Sequence, residues 1–364
     1  GFSPIILAHG HYVTTDTGAA LGIIIFIYYF LRYVLNPVRN NIIPVGLAFG
    51  FAQAVKFSSV LLIPYLLFLL AILSIMNLIQ EWPSISPELK TKKILRQIYR
   101  WLVSSASIII IGYTVVVYPL YLYSTWNYPI EKQVLDTEYL LQNFGFRPAV
   151  SAVIWMAGNP ALRPLAEYAL GVLMVFQRQA GGNGAFFLGE LSSHGWWYYF
   201  PLIYLMKETL PVLFLLLIAG ILGFWRILIA TNCAFREAIG RLLNYINLHF
   251  ADFSLLVFIV LYWASSISSP LNIGVRHILP TIPLFYILAA GAIKKWFAVR
   301  PIEIELNALD IFINFGHSIF NIWVKSSLIS LVVVWLILET PIASPNFLSY
   351  YNEFFGGRFN GFYY

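Results

Sequence analysis

Long apolar runs separated by short polar clusters dominate the chain. Runs long enough to cross about 30 Å of hydrocarbon cover residues 17–33, 58–76, 101–121, 199–225, 253–267, 276–293 and 326–339. A shorter run, 42–55, is cut from its successor by Lys56 and reads as a short or tilted span. The pattern predicts an all-α polytopic membrane protein, a helix bundle of about eight spans. The interval 122–198 is the one long connection. In it Val134, Leu135, Leu140, Leu141 and Phe144 alternate with Glu131, Lys132, Asp136 and Glu138, which predicts a helix lying in the membrane interface. A turn at Gly158-Asn-Pro160 and a glycine-rich stretch from Gln179 follow, and the aromatic run Trp196-Trp-Tyr-Tyr199 suits headgroup level or a platform for a sugar or prenyl chain.

Composition agrees: 60% of residues are hydrophobic, 17% aromatic and only 10% charged, against about 25% charged in a soluble domain. The net charge of +6 does not point to nucleic acid, because the basic residues follow topology instead of forming one patch. Fourteen of the 22 Lys and Arg fall in alternating loops: Arg32 and Arg39; Lys90, Lys92, Lys93, Arg96 and Arg100; Arg226, Arg236 and Arg241; Lys294, Lys295, Arg300 and Lys325. The positive-inside rule makes those loops cytoplasmic. Asp16, Lys56, the loop 122–198, the turn 268–275 and the C-terminal end are then expected outside a plasma (inner) membrane. The single cysteine, Cys233, excludes an intrachain disulfide. The chain opens on Gly1-Phe-Ser-Pro-Ile-Ile-Leu7, like the last turns of an earlier span, and stops at Gly361-Phe-Tyr-Tyr364 with no polar tail. Truncation at both ends is the expectation.

Ionisable groups beside spans are costly unless paired, solvated or used. Asp16 opens the first span, behind Leu7-Ala-His-Gly-His-Tyr-Val-Thr-Thr. Lys56 sits between two spans, Lys207 and Glu208 open another, Arg276 and His277 a third, and Glu353 lies in the final segment. Their repeated position at the outer ends predicts one shared cavity. The plainer reading of Thr14, Thr15 or Asp16 is a helix cap. His9, His11 and Asp16 form a weak metal spacing.

Five stretches carry a family resemblance: Ala8-His-Gly-His-Tyr-Val-Thr-Thr-Asp16, Val55-Lys-Phe-Ser58, Leu188-Gly-Glu-Leu-Ser-Ser-His-Gly-Trp-Trp-Tyr-Tyr-Phe-Pro201, Gly274-Val-Arg-His-Ile-Leu-Pro280 and Ser344-Pro-Asn-Phe-Leu-Ser-Tyr-Tyr-Asn-Glu-Phe-Phe-Gly-Gly357. In order and over nearly the whole chain, they resemble the dolichyl-phosphate-mannose–protein mannosyltransferase-like family, family 39 glycosyltransferases of the GT-C class. The resemblance implies a single membrane-embedded domain over 1–364. It implies transfer of a sugar, such as a mannose-like hexose, from a polyprenyl-phosphate carrier to a hydroxyl of a protein or lipid at the outer face, with inversion. The family's acidic pair, on a loop expected before Gly1, and its polar stretch beyond Asn-Glu-x-x-Gly-Gly lie outside this sequence. The usual catalytic base therefore maps to no residue here.

The resemblance also distributes roles. Arg276 is the first choice for the donor phosphate, since a guanidinium matches phosphate oxygens bidentately, and Lys56 the second. Asp16 is the catalytic carboxylate that orients the acceptor or holds a divalent cation, with His9 and His11 beside it. His277 is a hydrogen-bonding helix-end residue. Glu190 and His194 contact the acceptor, and Asn352 and Glu353, with Tyr350, close the cavity. Competing readings are a secondary transporter or flippase for a lipid-linked or anionic solute, and a non-catalytic scaffold.

Overall fold

A computed structural model describes residues 3–12, 14–231, 235–297 and 308–357, without the side chains of 39, 227–231, 235–239 and 308–320. Cys233, Arg300, both chain ends and the side chains of Arg39 and Arg236 thus lie outside the described residues. The helices in chain order are α1 (Pro4–His11), α2 (Thr15–Leu35), α3 (Arg39–Val55), α4 (Leu62–Glu81), α5 (Pro87–Ile111), α6 (Tyr118–Thr125), α7 (Ile130–Leu140), α8 (Arg147–Ala157), α9 (Arg163–Gly181), α10 (Tyr199–Lys207), α11 (Leu210–Thr231), α12 (Phe235–Leu248), α13 (Phe250–Ile267), α14 (Ile282–Phe297) and α15 (Ala308–Ala343). A π-helical turn, Gly112–Val117, joins α5 to α6, so that one rod of 39 residues runs from Pro87 to Thr125. At 1.5 Å per residue it is about 58 Å long, well beyond the bilayer core.

This is an all-α polytopic membrane protein. Among the described residues six helices are long and apolar enough to cross a bilayer. The expected span 42–55 falls in α3, whose apolar part, Asn40–Val55, is shorter than these six. The run 199–225 is not one straight span: α10 and α11 meet at 119°. Pro211, in the first turn of α11, has no N–H to continue a helix and favours starting a new one. A two-stranded hairpin, β1 (Ala185–Phe187) and β2 (Glu190–Ser192), adds the one sheet among the described residues. Leu188 (φ 52°) and Gly189 (φ 85°) make its two-residue turn, the left-handed pair that matches strand twist.

The chain forms two compact units: residues 14–200 with 246–281, and residues 1–13 with 201–245 and 282–364. In the first, α2 and α3 form an antiparallel pair around Phe26, Phe30 and Phe49. Phe26 and Phe30 meet Tyr65 at a centroid distance of 6.3 Å, and Tyr65 in turn meets Phe258 at 5.4 Å. Small residues set the next contact: a Cβ on Gly50 would lie 2.5 Å from the Gly112 carbonyl oxygen, and one on Gly46 2.6 Å from the Ile111 side chain. Backbone thus packs on backbone where α3 crosses the π turn.

The long connection is folded. Helices α7–α9 close around Leu141, Val150, Val153, Ala157, Ala166 and Leu170. On α7, Val134 packs inward and Leu135 is exposed, whereas Gln133 and Thr137 are buried. The expected amphipathic helix exists, but its inner face is half polar. In the second unit, α11 packs on α14 and α15, and α1 on the turn Phe347–Ser349.

Candidate functional site

The antiparallel pairing of α2 and α3 sets the first turn of one against the last turn of the other. Asp16 is the second residue of α2, and Lys56 is the C-cap of α3. A carboxylate suits a helix N-terminus and an ammonium a C-terminus. The two side chains form an ion pair, with 10% and 19% of their surfaces exposed. No side-chain bond caps α2 at Thr14. Asp16 is therefore a paired charge across forty residues of chain and not the helix cap. Lys56, the second choice for the donor phosphate, is the cation of this pair.

The 3-10 segment Val275–Thr281 packs on α2. It carries His277, buried against the rings of Phe200 (5.3 Å) and Tyr262 (6.2 Å). The charges of Lys56, Asp16 and Arg276 all act on His277, so the four residues share one neighbourhood. Tyr262 and Ser58, two residues after Lys56, are linked through their hydroxyls at 3.2 Å. Arg276 is exposed and makes no ion pair among the described residues. The segment thus carries an exposed guanidinium next in sequence to a buried imidazole, and it packs on the helix whose first turn holds the sheltered ion pair.

Two residues the sequence did not single out brace this floor. The Tyr168 hydroxyl donates to Gln53 Oε1 at 2.7 Å, and Gln53 Nε2 donates to the Ser59 carbonyl at 2.8 Å. The available signal was the one amide within the apolar run 42–55 of α3.

Glu190 and His194 are exposed on the hairpin and the loop after it. The adjoining aromatic run is not uniform. Trp196 stacks with Tyr199 at 6.5 Å and both contact Phe187, while Trp197 is 71% exposed. Asn272 Oδ1 accepts from the Trp196 N–H at 2.8 Å and anchors the run.

The remaining expected residues belong to the other unit. His9 is buried in α1 and His11 is exposed at its end. Glu208 sits in the break between α10 and α11, fully buried, accepting from the Tyr286 hydroxyl at 2.7 Å and the Thr209 N–H at 3.1 Å. Asn352 is also fully buried and caps the broken helix: its Nδ2 donates to the carbonyls of Leu205 (2.6 Å) and Glu208 (2.9 Å), and its N–H to Met206 (2.9 Å). Its Oδ1 is buried and makes no hydrogen bond among the described residues. The Lys207 ammonium lies 3.6 Å from the centre of the Tyr351 ring. Glu353 is exposed and close to Glu339, which takes a hydrogen bond from the Tyr350 hydroxyl. Glu339 was legible in the sequence only as a span end. Of the residues expected at the outer ends of spans, Asp16, Lys56, Glu190, His194, Arg276 and His277 belong to one unit, and His9, His11, Lys207, Glu208, Asn352 and Glu353 to the other.

A polar knot also ties the long connection. Gln133 Nε2 donates to Glu167 at 2.9 Å, the Arg163 Nε donates to Gln133 Oε1 at 2.9 Å, and the Tyr128 hydroxyl donates to Asp136 at 2.5 Å. Desolvation, then the bonded Asp136, pushes the Tyr128 phenol up to about 12. Desolvation also raises the Glu167 carboxyl, outweighing its Gln133 bond and the nearby Arg163.

Among the described residues no three His, Cys, Asp or Glu side chains come together as a metal ion would require. His9 and His11 belong to one unit and Asp16 to the other. No protein-family model, no curated protein and no solved structure matches this chain.

Proposed function

We propose that the protein is a polyprenyl-phosphate-sugar-dependent glycosyltransferase of the GT-C type, moving a hexose to a hydroxyl of a protein or lipid acceptor at the outer face of a membrane. One observation carries the reading: Arg276, exposed and without an ion-pair partner among the described residues, immediately precedes the buried His277, on which the charges of Asp16 and Lys56 also act. The bond that breaks joins the anomeric carbon to a phosphate oxygen, and the bond that forms joins that carbon to the acceptor oxygen. Negative charge grows on the leaving polyprenyl phosphate, where a guanidinium stabilises it most. Lys56 adds positive potential at a fixed point because Asp16 holds it. Asp16 retains a second carboxylate oxygen with which to orient the acceptor hydroxyl. The proton lost by that hydroxyl goes to a carboxylate base, which the family resemblance places on a loop preceding Gly1.

The test uses membranes carrying the flank-completed protein and a synthetic polyprenyl-phosphate-linked hexose. Polyprenyl phosphate should be released together with glycosylated acceptor. Asp16→Asn should abolish release. Arg276→Lys, which keeps charge but loses the planar fork, should lower kcat/KM for the donor about tenfold. No turnover with any of a panel of lipid-linked sugars would overturn the reading.

One observation favours a transporter as the second reading. Glu208 is a buried carboxylate at a helix break, and broken helices with ionisable groups mark substrate paths in transporters. Uptake of a soluble anionic sugar by proteoliposomes, lost in Glu208→Gln, would select it.

A further inference from the structure

The helix that carries Asp16 helps to enclose a second polar site at its opposite end. A cavity of about 450 Å³ lies among the last turns of α2, the second half of α4, the middle of α5 and the start of α13. Its lining on α2 begins at Leu31, fifteen residues beyond Asp16, hence more than about 20 Å away along the helix. Nothing in the proposed transfer chemistry uses it.

Its lining combines three chemistries. Arg100 is the one charged group among the lining residues, and its side chain is exposed at the rim. Gln97, one turn earlier on α5, is 4% exposed and lines the cavity. Its amide offers a neutral donor and acceptor beside the guanidinium. Asn77 on α4 adds a further donor, while Leu70 and Leu73 from the same helix form an apolar wall. Lys90, Lys92, Lys93 and Arg96 precede Arg100 on the same helix and make this end strongly basic. Part of that charge is spent locally: Lys93 pairs with Glu81, and Lys90 lies 4.6 Å from the Trp82 ring centre.

We propose that this cavity binds the phosphate headgroup of an anionic membrane lipid. Arg100 takes the phosphate, Gln97 and Asn77 donate to its ester or glycerol oxygens, and an acyl chain lies on Leu70 and Leu73. Basic pockets between membrane helices hold anionic headgroups by this combination of charge and apolar wall. The apolar wall favours a lipid over a free phosphate ester, which has nothing to place there.

The experiment is native mass spectrometry of the purified full chain titrated with phosphatidylglycerol or phosphatidylcholine. One phosphatidylglycerol per chain should be retained, and phosphatidylcholine should be lost at lower collision energy. Arg100→Gln should weaken retention about tenfold or more, the scale of one charge-assisted hydrogen bond. Leu73→Trp, which fills the cavity from its apolar side without touching charge, should do the same, and Lys132→Gln on α7 should not. Equal retention by wild type and Leu73→Trp overturns the site, even where Arg100→Gln fails to fold. Equal retention of the two lipids overturns the charge readout. Displacement of the lipid by millimolar inorganic phosphate overturns the lipid assignment in favour of a soluble phosphate.

Discussion

At the residue scale the Asp16–Lys56 pair is the centre of the account. Each side chain is mostly withdrawn from solvent, and a sheltered charge stripped of its partner costs about 3–5 kcal/mol. Lys56→Met should therefore lower thermal stability clearly, by leaving Asp16 unpaired. Asp16→Asn keeps an oxygen for the ammonium and should cost less. The double variant Asp16→Asn/Lys56→Met removes both charges and should recover stability beyond the Lys56 single variant without recovering sugar transfer. A double-mutant cycle read by thermal midpoint and by turnover separates the two roles. Additive losses of stability would show that the pair is not coupled. The sequence alone left Asp16 between a helix cap and a functional carboxylate, and it did not show the pair with Lys56, because which group a carboxylate meets depends here on a partner forty residues away.

At the element scale the governing contact is α3 against the π turn. A Cβ at Gly50 would meet the Gly112 carbonyl oxygen at 2.5 Å, and backbone yields less readily than a side chain. Gly50→Ala should destabilise by about 1–3 kcal/mol, the usual cost of overpacking. Gly220→Ala, whose Cβ meets nothing within 4 Å, should be neutral or slightly stabilising. Equal thermal midpoints for the two variants would refute the close-packing role. The polar knot between α7 and α9 adds a pH dependence. Desolvation raises the Glu167 carboxyl above its unfolded value. Between those two values the folded state binds the extra proton, so Glu167 favours folding below its unfolded pKa and loses that contribution as pH rises through the folded pKa. Glu167→Gln should flatten the fall in thermal midpoint as pH rises above the unfolded carboxylate value of about 4.3. An unchanged profile would remove Glu167 as its source. The outer helices were legible as amphipathic stretches, but the buried Gln133 at their seam was not, because an amide is placed inward only when another element supplies its partners.

At the scale of the whole molecule, the rod Pro87–Thr125 is the ruler. Its first turns carry the basic cluster, and the folded connection begins where it ends. A single crossing by this rod places Leu89 and Leu191 on opposite sides of the membrane. In a Cys233→Ser background, Leu191→Cys on the exposed hairpin should react with an impermeant maleimide on intact cells. Leu89→Cys should react only after permeabilisation. The reverse pattern would invert the sidedness, and labelling of both from outside would break the topology.

The sequence by itself determined the class and the element plan. Apolar runs of bilayer length have no stable home in water, and their hydrogen-bonding groups are satisfied inside lipid only by helices. The resemblance added an expectation of sugar transfer and named Asp16, Arg276 and Lys56. Only the tertiary structure decided that Asp16 pairs with Lys56, that His277 is buried, that Asn352 bonds the carbonyls at a helix break, and that the residues expected outside divide between two units. Hydrophobic periodicity is a local property and survives in one dimension. A charge's partner, an amide's acceptor and the unit to which a helix end belongs are set by contacts between residues far apart in the chain. No local pattern encodes those contacts.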